Sequence, residues 1–536
     1  MTGSLAALLA GTAARRPGHR ALIRGSAHLT YGRLWERARR YAAVLHASGV
    51  RPGDAVALVL ADDEQFPLVY FGVQAAGAVA VPLNGTASVS EIAHVLTDAD
   101  VRFLVCASSL RARAGAAAEG LGTRVSTVAE LERAAAHTRP EDAFVARRGD
   151  DPAVVFYTSG TTGAPKGVVL TQRNILRNVT TMAVTPYAFR SDDVLLGGLP
   201  LAHGFGQICS MLTAFEAGIT LVMMERFSGK EALALAAEHR CTVFMGVPTM
   251  YLKLLDAVAD GGPVPRFDRV YSGGSPLPVP TFHDVRRVFQ CPVYEGYGMT
   301  ETSTSLTYNH PGVPCRPGTV GVPIDDGVTV GVARPNADSV ELLPVGEVGE
   351  IVVRGETVMA GYLGRPDLTA EVIRDGWFHT GDLGTLDADG YLTVVGRKKE
   401  LILRGGYNVY PREVEEVLAE HPAVAHVAVV GVPHPVLGEE VWAVVVPTRS
   451  QEATCDLAEE IVDWGRQRLS RHKCPRHVEF ARTLPLGASG KVLKRELVST
   501  LGPVAASRSA TESGAAVFRA TGETLGGPVG GVPGPG

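Results

Sequence analysis

Apolar positions along this chain fall into two alternating rhythms. Short continuous runs, such as Ala55 to Leu60, Ala78 to Pro82 and Ala153 to Phe156, are the pattern of strands buried on both faces. Between them stand segments with apolar residues at helical spacing, Tyr31 to Ser48 and Phe66 to Gly77 among them, punctuated by Gly49, Gly53 and Gly77. Ala21 to Ile23 reads as a strand opening this first series. A second series has strands near Val194 to Gly198, Gly218 to Met223, Thr242 to Gly246, Val270 to Gly273 and Pro292 to Glu295. Its helices are expected over Gly206 to Phe215, Lys230 to Glu238, Pro248 to Ala259 and Val279 to Phe289. Strand, helix, strand at this spacing predicts an α/β fold with two doubly wound sheets.

Beyond Asn309 the pattern changes to short strands with Gly and Pro turns, including Gly349 to Arg354 and Tyr391 to Val395, which predicts a small β-barrel or antiparallel sheet. After Gly396 comes an α+β unit with strands at Glu400 to Leu403, Val424 to Val432, Val441 to Pro447 and Val478 to Ala481. Its helices are one opened by Pro411 and one over Leu457 to Leu469. The expected domains are therefore a large one over 1–396 and a small one over 397–500. The Gly- and Pro-rich stretch 501–536 has little to bury and reads as a disordered tail.

A chain of 536 residues is too long for one core, in keeping with two or more domains. Its net charge of −5 argues against nucleic acid as a bulk electrostatic partner. Seven scattered cysteines with no C-x-x-C pair suggest neither a zinc site nor a disulfide framework, and fit a reducing compartment. The alanine-rich start lacks a basic residue ahead of Leu5 to Leu9, so it reads as an amphipathic helix rather than a signal peptide. No run approaches the roughly 18 apolar residues of a membrane span. A cytoplasmic location is the expectation.

The chemistry concentrates first at Tyr157 to Gly167. A strand runs straight into Thr158-Ser159-Gly160-Thr161-Thr162-Gly163, whose hydroxyls and glycine amides suit a polyphosphate, with Lys166 supplying positive charge. It is not a Walker A loop, because Lys166 is followed by Gly167 and not by Ser or Thr. Further strand ends carry His203, in Pro200-Leu201-Ala202-His203-Gly204-Phe205-Gly206, and the glycine pair of Gly273-Gly274-Ser275. Glu295-Gly296-Tyr297-Gly298-Met299-Thr300-Glu301 then brings an aromatic face, a hydroxyl and a carboxylate together, as a Mg-ATP site requires. Asp382 is an acceptor suited to a ribose diol, and Arg397 adds a guanidinium where one fold pattern gives way to the next. No G-x-S-x-G elbow or Ser-His-Asp arrangement argues for a protein nucleophile.

These motifs resemble those of the adenylate-forming superfamily, in its acyl-CoA synthetase branch, over roughly Ala21 to Leu497. The resemblance implies that a carboxylic acid is joined to AMP and the acyl group is then passed to the thiol of CoA. It also implies that residues 158–163 and Lys166 grip phosphate, that Gly273, Gly274, Ser275, Glu295, Gly296 and Tyr297 border adenine, and that Thr300 meets the α-phosphate. Glu301 would hold Mg²⁺, Asp382 the ribose, Arg397 the same ribose or the phosphate, and His203 would divide nucleotide from acid. The small domain would be a mobile lid swinging about Lys399. One lid face would offer Lys491 to the acid carboxylate and α-phosphate, the other Gly406 to the pantetheine arm. Gly204 stands where amino-acid-activating relatives carry an aspartate, and the wall Phe244 to Met250 is apolar. A medium- or long-chain fatty acid is therefore the first expectation for the substrate. A short dicarboxylic acid, with Lys253 as its cation, or an aryl acid follows. An acyl carrier protein in place of CoA, or a nucleotide sensor without catalysis, are the remaining alternatives.

Overall fold

The continuous apolar runs become interior strands. In the computed structural model, residues 3–158, 165–337, 339–448, 451–485 and 492–508 are described. Among them, one sheet of seven strands runs in the order Gly361–Tyr362, Lys166–Thr171, Pro152–Thr158, Val79–Asn84, Ala55–Leu60, Phe103–Cys106, Arg124–Thr127. From Pro152–Thr158 to Arg124–Thr127 its neighbours are parallel, whereas Lys166–Thr171 turns back antiparallel. A nine-stranded sheet has Val293–Tyr297, Arg269–Ser272, Val243–Gly246, Val194–Leu196, Thr220–Val222 and Arg20–Arg24 as its parallel heart.

Arg20–Arg24 corrects the local reading of the sequence. Chain order puts it with the first series, but Leu22 pairs with Leu221 and Ile23 with Val222 in the second sheet. The helix Gln65–Ala75 explains how the two sheets share a core: every residue from Phe66 to Ala75 is buried, so it is apolar all round and covered on every side. A single apolar cluster runs through both sheets around it.

A second correction concerns Gly206 to Phe215, which is a π-helical stretch over Phe205–Leu212 followed by an α-helical turn, Thr213–Ala217. A Cβ on Gly206 would lie 2.2 Å from the Pro200 carbonyl oxygen, so the entry turn is too tight for any side chain. The wider winding is visible in the Thr213 hydroxyl, which donates to the Ile208 carbonyl five residues back at 2.8 Å.

The antiparallel strands Val328–Ala333, Gly349–Gly355, Trp377–Leu386 and Leu392–Arg397 form the third sheet. Beyond it Ile402–Arg404, Tyr407–Val409, Val424–His434, Gly438–Pro447 and His477–Phe480 make a fourth, with its own core under the helices Pro411–Ala419 and Cys455–Arg468. The helix Lys494–Arg508 covers the other face, where Leu497 and Leu501 pack with Trp442. Helical order therefore continues past Leu501, where the sequence placed the start of the tail, because Leu501 has an apolar face to cover. Among the described residues no helix is long and apolar enough to cross a membrane.

Candidate active site

The phosphate-loop residues Ser159, Gly160, Thr161, Thr162 and Gly163, and the lid lysine Lys491, lie outside the described residues. What flanks the loop is described. Thr158 ends one strand and pairs with Lys166, which begins the next, so the two flanking strands are antiparallel neighbours. The Lys166 ammonium stands 5.0 Å from the ring centre of Tyr362. That phenol donates to Glu301 Oε1 at 3.2 Å, and Glu301 is buried. The phosphate lysine and the metal carboxylate expected from the sequence thus meet across one aromatic ring. Tyr362 was missed by sequence reasoning, since a two-residue strand, Gly361–Tyr362, leaves no periodic signal.

Val293–Tyr297 carries the segment expected from the sequence to border adenine. Gly296 has no room for a Cβ, which would fall 2.4 Å from the Tyr308 ring. Tyr297 donates its phenol to Asp382 Oδ2 at 2.6 Å, while Arg397 Nε reaches Asp382 Oδ1 at 3.3 Å. Partial burial and this neighbouring carboxylate hold the Tyr297 phenol un-ionised. Asp382 and Arg397 are partners in register on adjacent strands, so sheet geometry fixes the two side chains relative to one another. Thr300 and Glu301 sit in the short helical turn Thr300–Thr302 directly after this strand.

Glu295 differs in orientation from a residue that lines the cleft. Its carboxylate turns inward to accept the Leu277 backbone N–H at 2.8 Å, and burial pushes its pKa up to about 7, against the opposing pull of the Arg412 charge and that N–H. Arg412 belongs to the lid helix Pro411–Ala419 and donates to the Val394 carbonyl and to Glu416, so the lid helix rests on the edge of the third sheet.

Gly273 and Gly274 follow the strand Arg269–Ser272, Gly274 at φ +81°. A Cβ on Gly273 would come 3.2 Å from the Phe205 ring and 3.4 Å from the Tyr308 hydroxyl; one on Gly274 would come 3.3 Å from Val247. Ser275, next along, is half-buried. His203 is exposed on the segment before the π-helical stretch. Its carbonyl accepts the Gln207 N–H at 2.9 Å and its Nδ1 accepts the Phe205 N–H at 3.3 Å. Part of the expected acid wall is withdrawn from the cleft: Phe244 is fully buried among Phe227, Tyr251 and Phe267. Gly246 and Val247 come at its strand end, and Lys253 is exposed on the helix Pro248–Ala259.

Lys399 lies in the helical turn Lys398–Glu400 joining the two domains. Its neighbour Glu400 faces Arg397 at 4.0 Å on one side and Lys494 at 3.4 Å on the other. Gly406 has φ +83° with no heavy atom within 4 Å of a built Cβ, so its backbone favours glycine and the space beside it is open.

The family model described as AMP-binding enzyme matches residues 9–363, and that described as AMP-binding enzyme C-terminal domain matches residues 413–491. The chain is 39% identical over 497 residues to a feruloyl-CoA synthase of Amycolatopsis sp, covering 90% of this chain and 96% of that one. It is 32% identical to a long-chain-fatty-acid–CoA ligase of Bacillus subtilis (strain 168), covering 92% and 94%. Among solved structures, ATP-bound MatB from Rhodopseudomonas palustris superposes with a TM-score of 0.86 at 33% identity, covering 93% of this chain and 99% of that one. Sequence motifs, fold and relatives agree: the chain belongs to the AMP-binding enzyme family and is an AMP-forming acid–thiol ligase that uses ATP and CoA.

Proposed function

We propose that the acid this ligase activates is a compact aryl or aryl-alkenoic acid. The observation that carries the reading is the 39% identity over 497 residues to a feruloyl-CoA synthase, together with the aromatic Phe205 two residues after His203. An aromatic side chain at that place offers a planar acid a ring to pack against. A fatty acid, the first expectation from the sequence, keeps the support of the Bacillus relative.

A carboxylate is a weak electrophile, and joining it to AMP removes its charge and supplies a leaving group. In this reading the acid carboxylate attacks the α-phosphorus, pyrophosphate departs, and the CoA thiol then displaces AMP. The chain's own part is positioning and charge: Lys166 and Lys491 take up phosphate charge, Thr300 contacts the α-phosphate, Asp382 and Arg397 hold the ribose, and His203 separates acid from nucleotide. Glu301 fits a magnesium ligand, being a buried carboxylate with one oxygen steadied by Tyr362, and Mg²⁺ bound there would neutralise phosphate charge. The lid turning about Lys399 would bring Lys491 in for the first step and the Gly406 turn for the second.

A panel of benzoic, hydroxycinnamic, dicarboxylic and medium- to long-chain fatty acids, assayed with ATP and CoA, tests the substrate. The expected result is a kcat/KM for an aryl or aryl-alkenoic acid at least about tenfold above the best alkyl acid, the scale of one well-fitted ring contact. A fatty acid leading the panel overturns the reading. Replacing CoA by an acylatable carrier protein in the same assay decides the acceptor.

A further inference from the structure

His203 stands on a segment that belongs to the second sheet, yet one of its anchors comes from the first. Asp62 follows the strand Ala55–Leu60, and its Oδ1 accepts the backbone N–H of Leu201 at 2.6 Å, a contact between residues 139 apart in the chain. The carbonyl of the same Leu201 accepts the side-chain amide of Gln207 at 3.0 Å, and Gln207 is wholly buried. The Gln207 backbone N–H in turn donates to the His203 carbonyl. Leu201 is therefore gripped at both its N–H and its C=O, two residues before His203, by one group from each sheet.

We propose that Asp62 is a positioning residue for the acid half of the site, its carboxylate reaching across the cleft to hold the segment that presents His203. The inference rests on the reading of His203 as the boundary between nucleotide and acid. Asp62 sits in an acidic corner. Arg24 answers Glu64 at 3.0 Å, Glu225 at 3.1 Å and Asp63 at 3.7 Å. Burial pushes the Asp62 pKa up to about 6; the Leu201 N–H opposes this, and the neighbouring Asp63 and Glu225 charges add to it. A carboxylate accepts the Leu201 N–H as a charge-assisted bond, and protonation reduces it to a neutral one of about half the strength. Burial nevertheless outweighs that bond, so the buried, held arrangement binds the Asp62 proton more tightly than a water-exposed one, and the sign follows: the segment is held most firmly below the ordinary carboxylate value and loosens as pH rises through about 6.

The test is acid-dependent exchange of pyrophosphate into ATP by the full chain, at saturating Mg²⁺, between about pH 5 and pH 8, with an acid ionised throughout. Wild type is expected to show an acid KM that rises several-fold above about pH 6, with the ATP KM flat. Asp62→Asn keeps an acceptor oxygen but cannot titrate, so its acid KM is the same across the range. Asp62→Ala raises the acid KM about tenfold at every pH, the scale of losing a hydrogen bond to a charged group, and leaves the ATP KM unchanged. A pH-dependent acid KM that survives in Asp62→Asn, or acid and ATP KM moving together in Asp62→Ala, overturns the proposal. His203→Ala measured in parallel separates it from its premise. An unaltered acid KM in that variant removes the boundary reading and this proposal with it. A raised one, with the pH dependence retained in Asp62→Asn, removes the role of Asp62 alone.

Discussion

Tyr362 joins two charged groups at the phosphate end of the cleft, and its removal has a calculable effect. Its phenol gives Glu301 one hydrogen bond at 3.2 Å, longer than the usual O–H···O distance, which places it at the low end of bonds to charged groups, about 1.5 kcal/mol. Its ring faces the Lys166 ammonium at 5.0 Å, a contact worth about 0.5–1 kcal/mol. Tyr362→Phe removes only the first, and is expected to raise the Mg²⁺ concentration needed for half-maximal pyrophosphate exchange by about tenfold. Tyr362→Leu removes both, about 2–2.5 kcal/mol together, for about 30- to 70-fold. The acid KM should not move in either variant. Titrating Mg²⁺ at fixed ATP and acid reads the metal requirement of each variant, and titrating the acid at saturating Mg²⁺ reads its KM. If Tyr362→Phe matched wild type while Tyr362→Leu did not, the phenol would be idle and only the ring would matter; equal loss in both would assign everything to the hydroxyl. An unchanged Mg²⁺ requirement in both refutes the assignment of Glu301 as the metal carboxylate steadied by this residue.

Lys491→Ala is expected to lower adenylation by about 10²–10³-fold, the scale of losing one transition-state charge contact, while thioester formation from supplied acyl-AMP proceeds nearly as before; equal loss in both steps counts against the two-faced lid. Gly406→Leu should stall the enzyme at acyl-AMP, read as adenylate accumulating without thioester, and normal thioester output would refute the assignment. Glu295, with its pKa at about 7 in the fold against an ordinary 4.5, binds its proton more tightly folded than unfolded, so its contribution is fully present below pH 4.5 and is lost as pH rises through 7. Glu295→Gln should therefore stabilise the protein by up to about 3 kcal/mol near pH 8 and hardly at all near pH 5, as denaturant titrations at the two pH values would register. Arg404 in the lid pairs with buried Glu440 at 2.7 Å and donates to the carbonyls of His472 and Cys474, so Arg404→Met leaves a buried carboxylate short of its partner and should cost about 3–5 kcal/mol; Arg404→Met combined with Glu440→Leu should recover most of it.

Helices with strong local signals were legible to the residue: Pro248–Ala259 and Val279–Phe289 begin and end where periodicity and proline placed them. The strand end and helical turn that carry Tyr297, Thr300 and Glu301 were legible because one short stretch of chain holds them all. What escaped the sequence depends on distant partners. Tyr362, Phe205 and Asp62 matter through contacts made across sheets, and no pattern within a few residues of any of them encodes those contacts. The π-helical stretch was read as α-helix because apolar spacing over eight residues barely separates the two windings. Phe244 was read as pocket wall from its neighbours in sequence, whereas alternation along a strand turns it into the core.

The pairing of Arg20–Arg24 with Thr220–Val222 bears on how the protein is made. A ribosome adding about 5–20 residues per second takes on the order of ten to forty seconds to produce the partner strand after the first has emerged. For that interval an apolar segment with an open edge is available to wrong partners. Cutting the gene between the two series would strand it permanently, so fragments ending near residue 150 are expected to aggregate, and complementation by two half-chains should require that residues 1–30 travel with the second half.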